Sequence, residues 1–126
     1  MAGFEELIVW QECRKFRQTI SDAVKAFPKS EQFDLVSQLK RASRSVTANI
    51  AEGYGRYHYQ ENIQFCRQAR GSLEEVKDHL YAAYDEGYIS QEKLNELFDS
   101  QKTCIKLLNG YIDWLQKQKS KSNKTD

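Results

Sequence analysis

Few residues of this 126-residue chain could carry reactive chemistry. His79 has Glu75 four residues before it and Val76 at the three-residue spacing. The Glu-x-x-His pair of a di-metal helical centre is therefore missing. His58 lies between Tyr57 and Tyr59, apart from any ligand set. Cys13, Cys66 and Cys104 are widely separated, odd in number and form no Cys-x-x-Cys pair. That spacing suggests neither a zinc site nor a disulfide framework. Each falls in an apolar helical pattern, where a reduced cysteine acts as a small hydrophobe. No Ser, Cys or His stands ready as an activated nucleophile. Gly53-Tyr54-Gly55 lacks the third glycine of a dinucleotide fingerprint and the Gly-Lys-Ser/Thr ending of a phosphate loop. It also follows a helical pattern, and a helix carboxy-terminus presents carbonyls, the wrong polarity for cradling phosphate. The expectation is a protein without catalytic residues, metal or cofactor.

Cations offer a different chemistry. Formal net charge is only +1, but it is unevenly distributed. Residues 13–70 hold eleven Lys or Arg against five Asp or Glu, and residues 71–116 hold four against nine. The last ten residues, KQKSKSNKTD, add Lys117, Lys119, Lys121 and Lys124. The asymmetry fits a basic face on the first half, or complementary charge between neighbouring helices or subunits. Lys40, Arg41 and Arg44 cluster in the second helical segment, and Arg56, Arg67 and Arg70 follow. Lysine grips a phosphate as a point charge and arginine bidentately. Tyr54, Tyr57, His58 and Tyr59 surround Arg56, and such a mixture can stack on bases while holding phosphates. The alternative is a solvated face with tyrosines buried at a turn.

The elements that would position these residues are helices. One proline and six glycines punctuate the chain, and apolar residues recur three or four apart throughout. A first helix is predicted over about 5–27, with Trp10, Cys13, Phe16, Ile20, Val24 and Phe27 on one stripe and Pro28 ending it. A second over about 31–52 takes Ser30 as cap and buries Leu35, Val36, Leu39, Ala42, Val46 and Ile50. Gly53 suits the left-handed position past its end, with Gly55 permitting the turn. Asn49 and Glu52 share a face in its last turns and are expected to make hydrogen bonds to neighbouring helix ends or side chains, fixing register. A third helix over about 60–86 repeats its apolar residues near every 3.5 positions, the spacing of long, nearly antiparallel packing. Gly71 inside it suggests a close helix-helix approach. Gly87 ends it, Ser90 caps a fourth helix over about 91–117, and residues 118–126 read as a polar, Lys-rich disordered tail. Short connections between four helices predict an all-α, up-down-up-down antiparallel bundle in one domain, 1–117. Leu107 and Trp114 flank the fourth seam and Leu7, Ile8 and Val9 surround Trp10, which suggests a second buried surface and hence self-association. There is no signal pattern, and the longest apolar run, Leu80 to Tyr84, is far short of the ~20 residues of a membrane helix. A soluble cytoplasmic protein is expected.

The stretch QLKRASRSVTANIAEGYGRY, followed by FCRQARGSLEEVKDHLYAAYDEGYIS, resembles the bacterial four-helix-bundle family encoded by intervening sequences within large-subunit ribosomal RNA genes. Members are also loosely called a ribosomal protein. The likeness runs from about Phe4 to Gln116, and the paired signatures NIAEGYGR and GSLEE at this spacing are specific; the opening FEELIVWQECRKF fits as well. Thr47 stands where the family usually has proline, which implies a straighter second helix. The resemblance implies a homopentamer of antiparallel bundles without catalytic activity. The same fold is similar to the accessory variability protein of diversity-generating retroelements, a pentameric partner of a reverse transcriptase that binds nucleic acid. By that analogy Lys40, Arg41, Arg44, Arg56, Arg67 and Arg70 become candidate RNA or DNA contacts, and Asn49, Glu52, Gly53, Gly55 and Gly71 form the structural motif. The competing reading is a protein-interaction scaffold without nucleic-acid binding.

Overall fold

The computed structural model describes residues 2–124. Four helices dominate it: α1 (Ile8–Ala23), α2 (Leu35–Gly55), α3 (Tyr59–Asp85) and α4 (Gln91–Lys124). Short 3-10 turns at Phe4–Glu6, Val24–Ala26 and Lys29–Glu31 fill the start of the chain and the α1–α2 connection. Each helix packs on two others: α1 and α3 both lie against α2 and α4. The inward stripes meet in one apolar core. Cys13, Phe16 and Ile20 of α1, Leu39, Val46 and Ile50 of α2, Leu73 and Leu80 of α3, and Leu97, Leu108 and Leu115 of α4 are essentially without solvent contact.

Contacts fix which parts of the helices meet. Arg17 donates to the Thr47 hydroxyl at 2.8 Å, and Ser45 and Ser72 share a hydrogen bond at 2.9 Å. Asn62 donates to the Tyr111 hydroxyl at 3.2 Å, and Tyr54 donates to the Ala2 carbonyl at 3.2 Å. The chain start, the α2–α3 turn and the late part of α4 thus share one end of the bundle. At the other end Phe27 packs on Tyr88, whose hydroxyl donates to Glu31 at 2.8 Å.

The apolar stripes match the predicted ones with local shifts. In α1 Val9 is buried and Trp10 is only half-buried, because the helix begins at Ile8 and turns Trp10 onto its flank. Gln101 enters the core of α4 and donates to the Leu73 carbonyl at 2.9 Å, which satisfies a buried amide. The three cysteines are buried and unpaired in disulfides. Burial pushes the Cys66 thiol up to about 12, and a hydrogen bond with Cys104 together with burial holds Cys13 far above the usual thiol range.

Helix ends depart further from the sequence reading. Ser30 lies in a 3-10 turn, and α2 starts at Leu35, whose amide donates to the Glu31 carboxylate at 3.5 Å. Gly53 does not stop α2. It is buried inside the helix, where an added Cβ would meet Asn62 Oδ1 at 2.7 Å and the Phe65 Cβ at 2.9 Å. Gly53 therefore permits the close approach of α2 and α3. Gly71, by contrast, is exposed and an added Cβ would meet nothing within 4 Å, so no close approach accounts for it. Gly55 ends α2 without a left-handed backbone; that conformation falls to Tyr57, with φ of 59°. Gly87 behaves as expected. Its φ is 79°, and the bonds Tyr88 N–H to Ala83 carbonyl and Gly87 N–H to Tyr84 carbonyl complete a Schellman ending. Ser90 caps α4 through the Lys93 amide at 3.1 Å. Thr47 leaves α2 continuous and donates to the Arg44 carbonyl. Finally, residues 118–124 continue α4 rather than forming a disordered tail, while 125–126 lie outside the described residues.

Candidate functional site

Of the six cations that the sequence offers as candidate contacts, three cluster on the second helix and three follow it along the chain. Lys40, Arg41 and Arg44 project from neighbouring turns of α2. They border a depression of about 360 Å³ that begins at Gln32 and Phe33. Arg44 also borders a second depression, about 600 Å³, between α1 and α2. Phe4 and Trp10 form one side of it, ring edge to face at 5.1 Å, and Arg17, Thr47, Ala48 and Ala51 line the rest. Ala48 and Ala51 continue into a third hollow that ends at Gly55 and Arg56. The second shares Arg44 with the first and Ala48 and Ala51 with the third, so the three follow one another as a groove along α2, aromatic on the α1 side and cationic toward the start of α2.

Neighbouring groups hold several of these cations. Arg41 lies 3.6 Å from Glu75 of α3, and Glu75 also accepts a bond from His79 Nε2 at 3.1 Å. Arg17 is oriented by Thr47. Arg56, just past the end of α2, pairs with Glu52 at 2.9 Å and lies over the Phe65 ring at 5.2 Å. These exposed pairs are worth at most about 1 kcal/mol each, so an anion can compete for them.

Arg67 and Arg70 sit elsewhere, on the α3–α4 side. Arg70 donates to Asn109 at 2.8 Å. Arg67 borders a notch of about 280 Å³ with Gln60, Gln116 and Lys119. Asn49 is half-buried and donates to the Ser45 carbonyl and hydroxyl at 2.9 and 3.1 Å. It therefore braces α2 and reaches α3 only through the Ser45–Ser72 pair. Glu52 is exposed and accepts a hydrogen bond from the Arg56 side chain; among the described residues it bonds no other helix.

Two cations escaped the sequence reading. Arg17 completes the groove, and Arg14 lies over Trp10 at 5.8 Å. Their signal was present as spacing: Arg14 and Arg17 fall four and seven positions after Trp10, on one helical flank. Among the described residues no three His, Cys, Asp or Glu side chains come together as metal ligands, and no helix is long and apolar enough to cross a membrane.

Four packed helices with a cationic, aromatic-walled groove and no strand among the described residues define an all-α bundle protein. The chain belongs to the 23S rRNA-intervening sequence protein family, whose family model matches residues 5–110. Its fold is similar to the crystal structure of a protein with unknown function from the S23 ribosomal protein family of Bacteroides thetaiotaomicron. The TM-score is 0.77 at 21% identity, covering 84% of this chain and 96% of that one. No curated protein matches the chain.

Proposed function

We propose that this chain is a non-enzymatic, homo-oligomeric accessory protein that binds nucleic acid through the groove along α2. The groove carries the reading: Arg17, Lys40, Arg41 and Arg44 gather beside Phe4, Trp10 and Phe33. Arginine forks and a lysine hold phosphates, while aromatic faces accept bases or sugars. The family's link to ribosomal RNA intervening sequences makes RNA the first ligand to try. The resemblance to the retroelement accessory protein makes a reverse transcriptase a candidate partner, in the cytoplasm.

The bundle is taken as antiparallel, up-down-up-down, because Arg17 meets Thr47, Ser45 meets Ser72 and Asn62 meets Tyr111. Self-association is supported by apolar side chains left outward, and the pentamer is what the family resemblance implies. Ile8 is 61% exposed, Trp114 51% and Phe33 90%. Repeating a weak basic groove around a ring raises its avidity for a long polyanion.

The second reading, a protein scaffold, draws on the Arg41–Glu75 pair and on Phe33, which would suit contact with another protein. Reversing charge at Lys40, Arg41 and Arg44 separates the two. The expected result is loss of the gel shift of structured RNA at low salt, with the light-scattering mass retained. Dissociation to a species near 14.7 kDa, with no shift even for the unaltered protein, would favour the scaffold.

A further inference from the structure

The turn between α2 and α3 carries an unexplained strain. Tyr57 is, among the described residues, the one non-glycine residue with positive φ, 59°. It occupies the position past a helix end where glycine is usual. Tyr57 is 81% exposed, and its ring centroid lies 6.4 Å from that of Tyr54. A bulky residue held left-handed costs free energy, and here almost no packing offsets the cost. Arg56 does not share this freedom, because Glu52 and Phe65 hold it.

Beside the turn lies the notch bordered by Arg67 and Lys119. Lys119 reaches it because α4 stays helical past residue 117, and Gln60 accepts a hydrogen bond from its ammonium group. Arg67 makes no hydrogen bond or ion pair among the described residues. Lys117 and Lys121 border the adjoining hollow, where Asp113 is the acid. Tyr57 stands three residues before Gln60, which lines the notch, so an exposed aromatic and a set of cations share this end of the bundle, a pairing that matches a polyanion carrying flat apolar rings.

We infer that this end of the bundle is a single-strand nucleic-acid site, in which Tyr57 stacks on an unpaired base and Arg67 and Lys119 hold adjacent phosphates. This rests on the reading that the protein binds nucleic acid, but it places a second site away from the α2 groove. A duplex keeps its bases stacked inside, so only unpaired nucleotides present a face to Tyr57. Gln60 and Arg67 are two helical turns apart, about 10 Å, a span that a strand of a few nucleotides covers.

The test uses the full chain, fluorescence anisotropy at low salt, a labelled uridine strand of about 12 nucleotides and an RNA duplex of similar length. Tyr57→Gly relieves the strained backbone, so its melting temperature should rise by a few degrees. Its strand affinity should fall roughly tenfold while duplex affinity is kept. Tyr57→Phe should bind like the unaltered chain. Arg67→Gln with Lys119→Gln should weaken the strand and lower the slope of affinity against salt by about one to two. Unchanged strand affinity and slope in Tyr57→Gly and the double variant, with nucleic acid still bound, would overturn this site and leave the groove standing. Equal loss of strand and duplex binding in Tyr57→Gly would overturn base stacking, as would polyglutamate competing as well as polyuridine. A lowered melting temperature in Tyr57→Gly would reveal a structural role for the ring and also overturn it. No binding of either probe by the unaltered chain would overturn both readings.

Discussion

Gly53 and Gly71 both lie inside helices, and their surroundings give them opposite roles. Gly53 is pressed between Asn62 and Phe65, whereas Gly71 faces solvent with room for a methyl group. Gly53→Ala should therefore destabilise by about 1–3 kcal/mol through overpacking, although alanine is the better helix former. Gly71→Ala should stabilise by up to about 1 kcal/mol. Urea unfolding of the two variants checks this pair, and a Gly53→Ala protein as stable as its parent would contradict the tight α2–α3 contact. The sequence around Gly53 reads as a helix stop because glycine suits the left-handed position past a helix end and Gly55 permits the turn that follows. What decides its role comes from Asn62 and Phe65 on the next helix, which no local pattern reveals. Glu52 finds the side-chain partner expected of it in Arg56, just past the end of α2, so its bond is local and does not tie α2 to another helix.

At the scale of elements, the helices themselves were legible and their ends were not. Apolar spacing identified the buried faces of α2 and α3 nearly residue by residue, because burial of a stripe is what holds each helix in place. Ends depend on single hydrogen bonds. Ser90 and Gly87 acted as their types predict, but Glu31 displaced Ser30 by serving both the Leu35 amide and the Tyr88 hydroxyl. The last turns of α4 were read as a tail from their polarity. Glutamine and lysine are nonetheless good helix formers, and lysines near a carboxy-terminus favour the helix dipole.

The Glu31–Tyr88 bond carries its own prediction. The carboxylate holds the Tyr88 phenol above its ordinary 10.0, up to about 12. Because the folded value is the higher one, this bond's stabilisation is complete below pH 10 and is lost as pH rises through about 12. The phenolate absorbance that disappears in Tyr88→Phe should thus titrate near 12. A midpoint near 10 would show that the bond does not persist in solution.

For the whole molecule, the charge imbalance read from the sequence has a spatial counterpart. The cation-rich stretch 13–70 covers most of α1, all of α2 and the first part of α3, and the acid-rich stretch 71–116 falls on the rest of α3 and most of α4. The six cations nonetheless divide into two locations, since helix rotation turns Arg67 and Arg70 toward α4. Composition could show that the first half is basic; it could not show which residues converge. The account's central claim is that the groove grips phosphates, and the salt dependence of RNA binding by the unaltered protein tests it most directly. With Arg17, Lys40, Arg41 and Arg44 engaged, the logarithm of affinity should fall linearly with the logarithm of salt, with a slope of roughly −3 per groove. No binding at low salt, or an affinity that salt leaves unchanged, would contradict it.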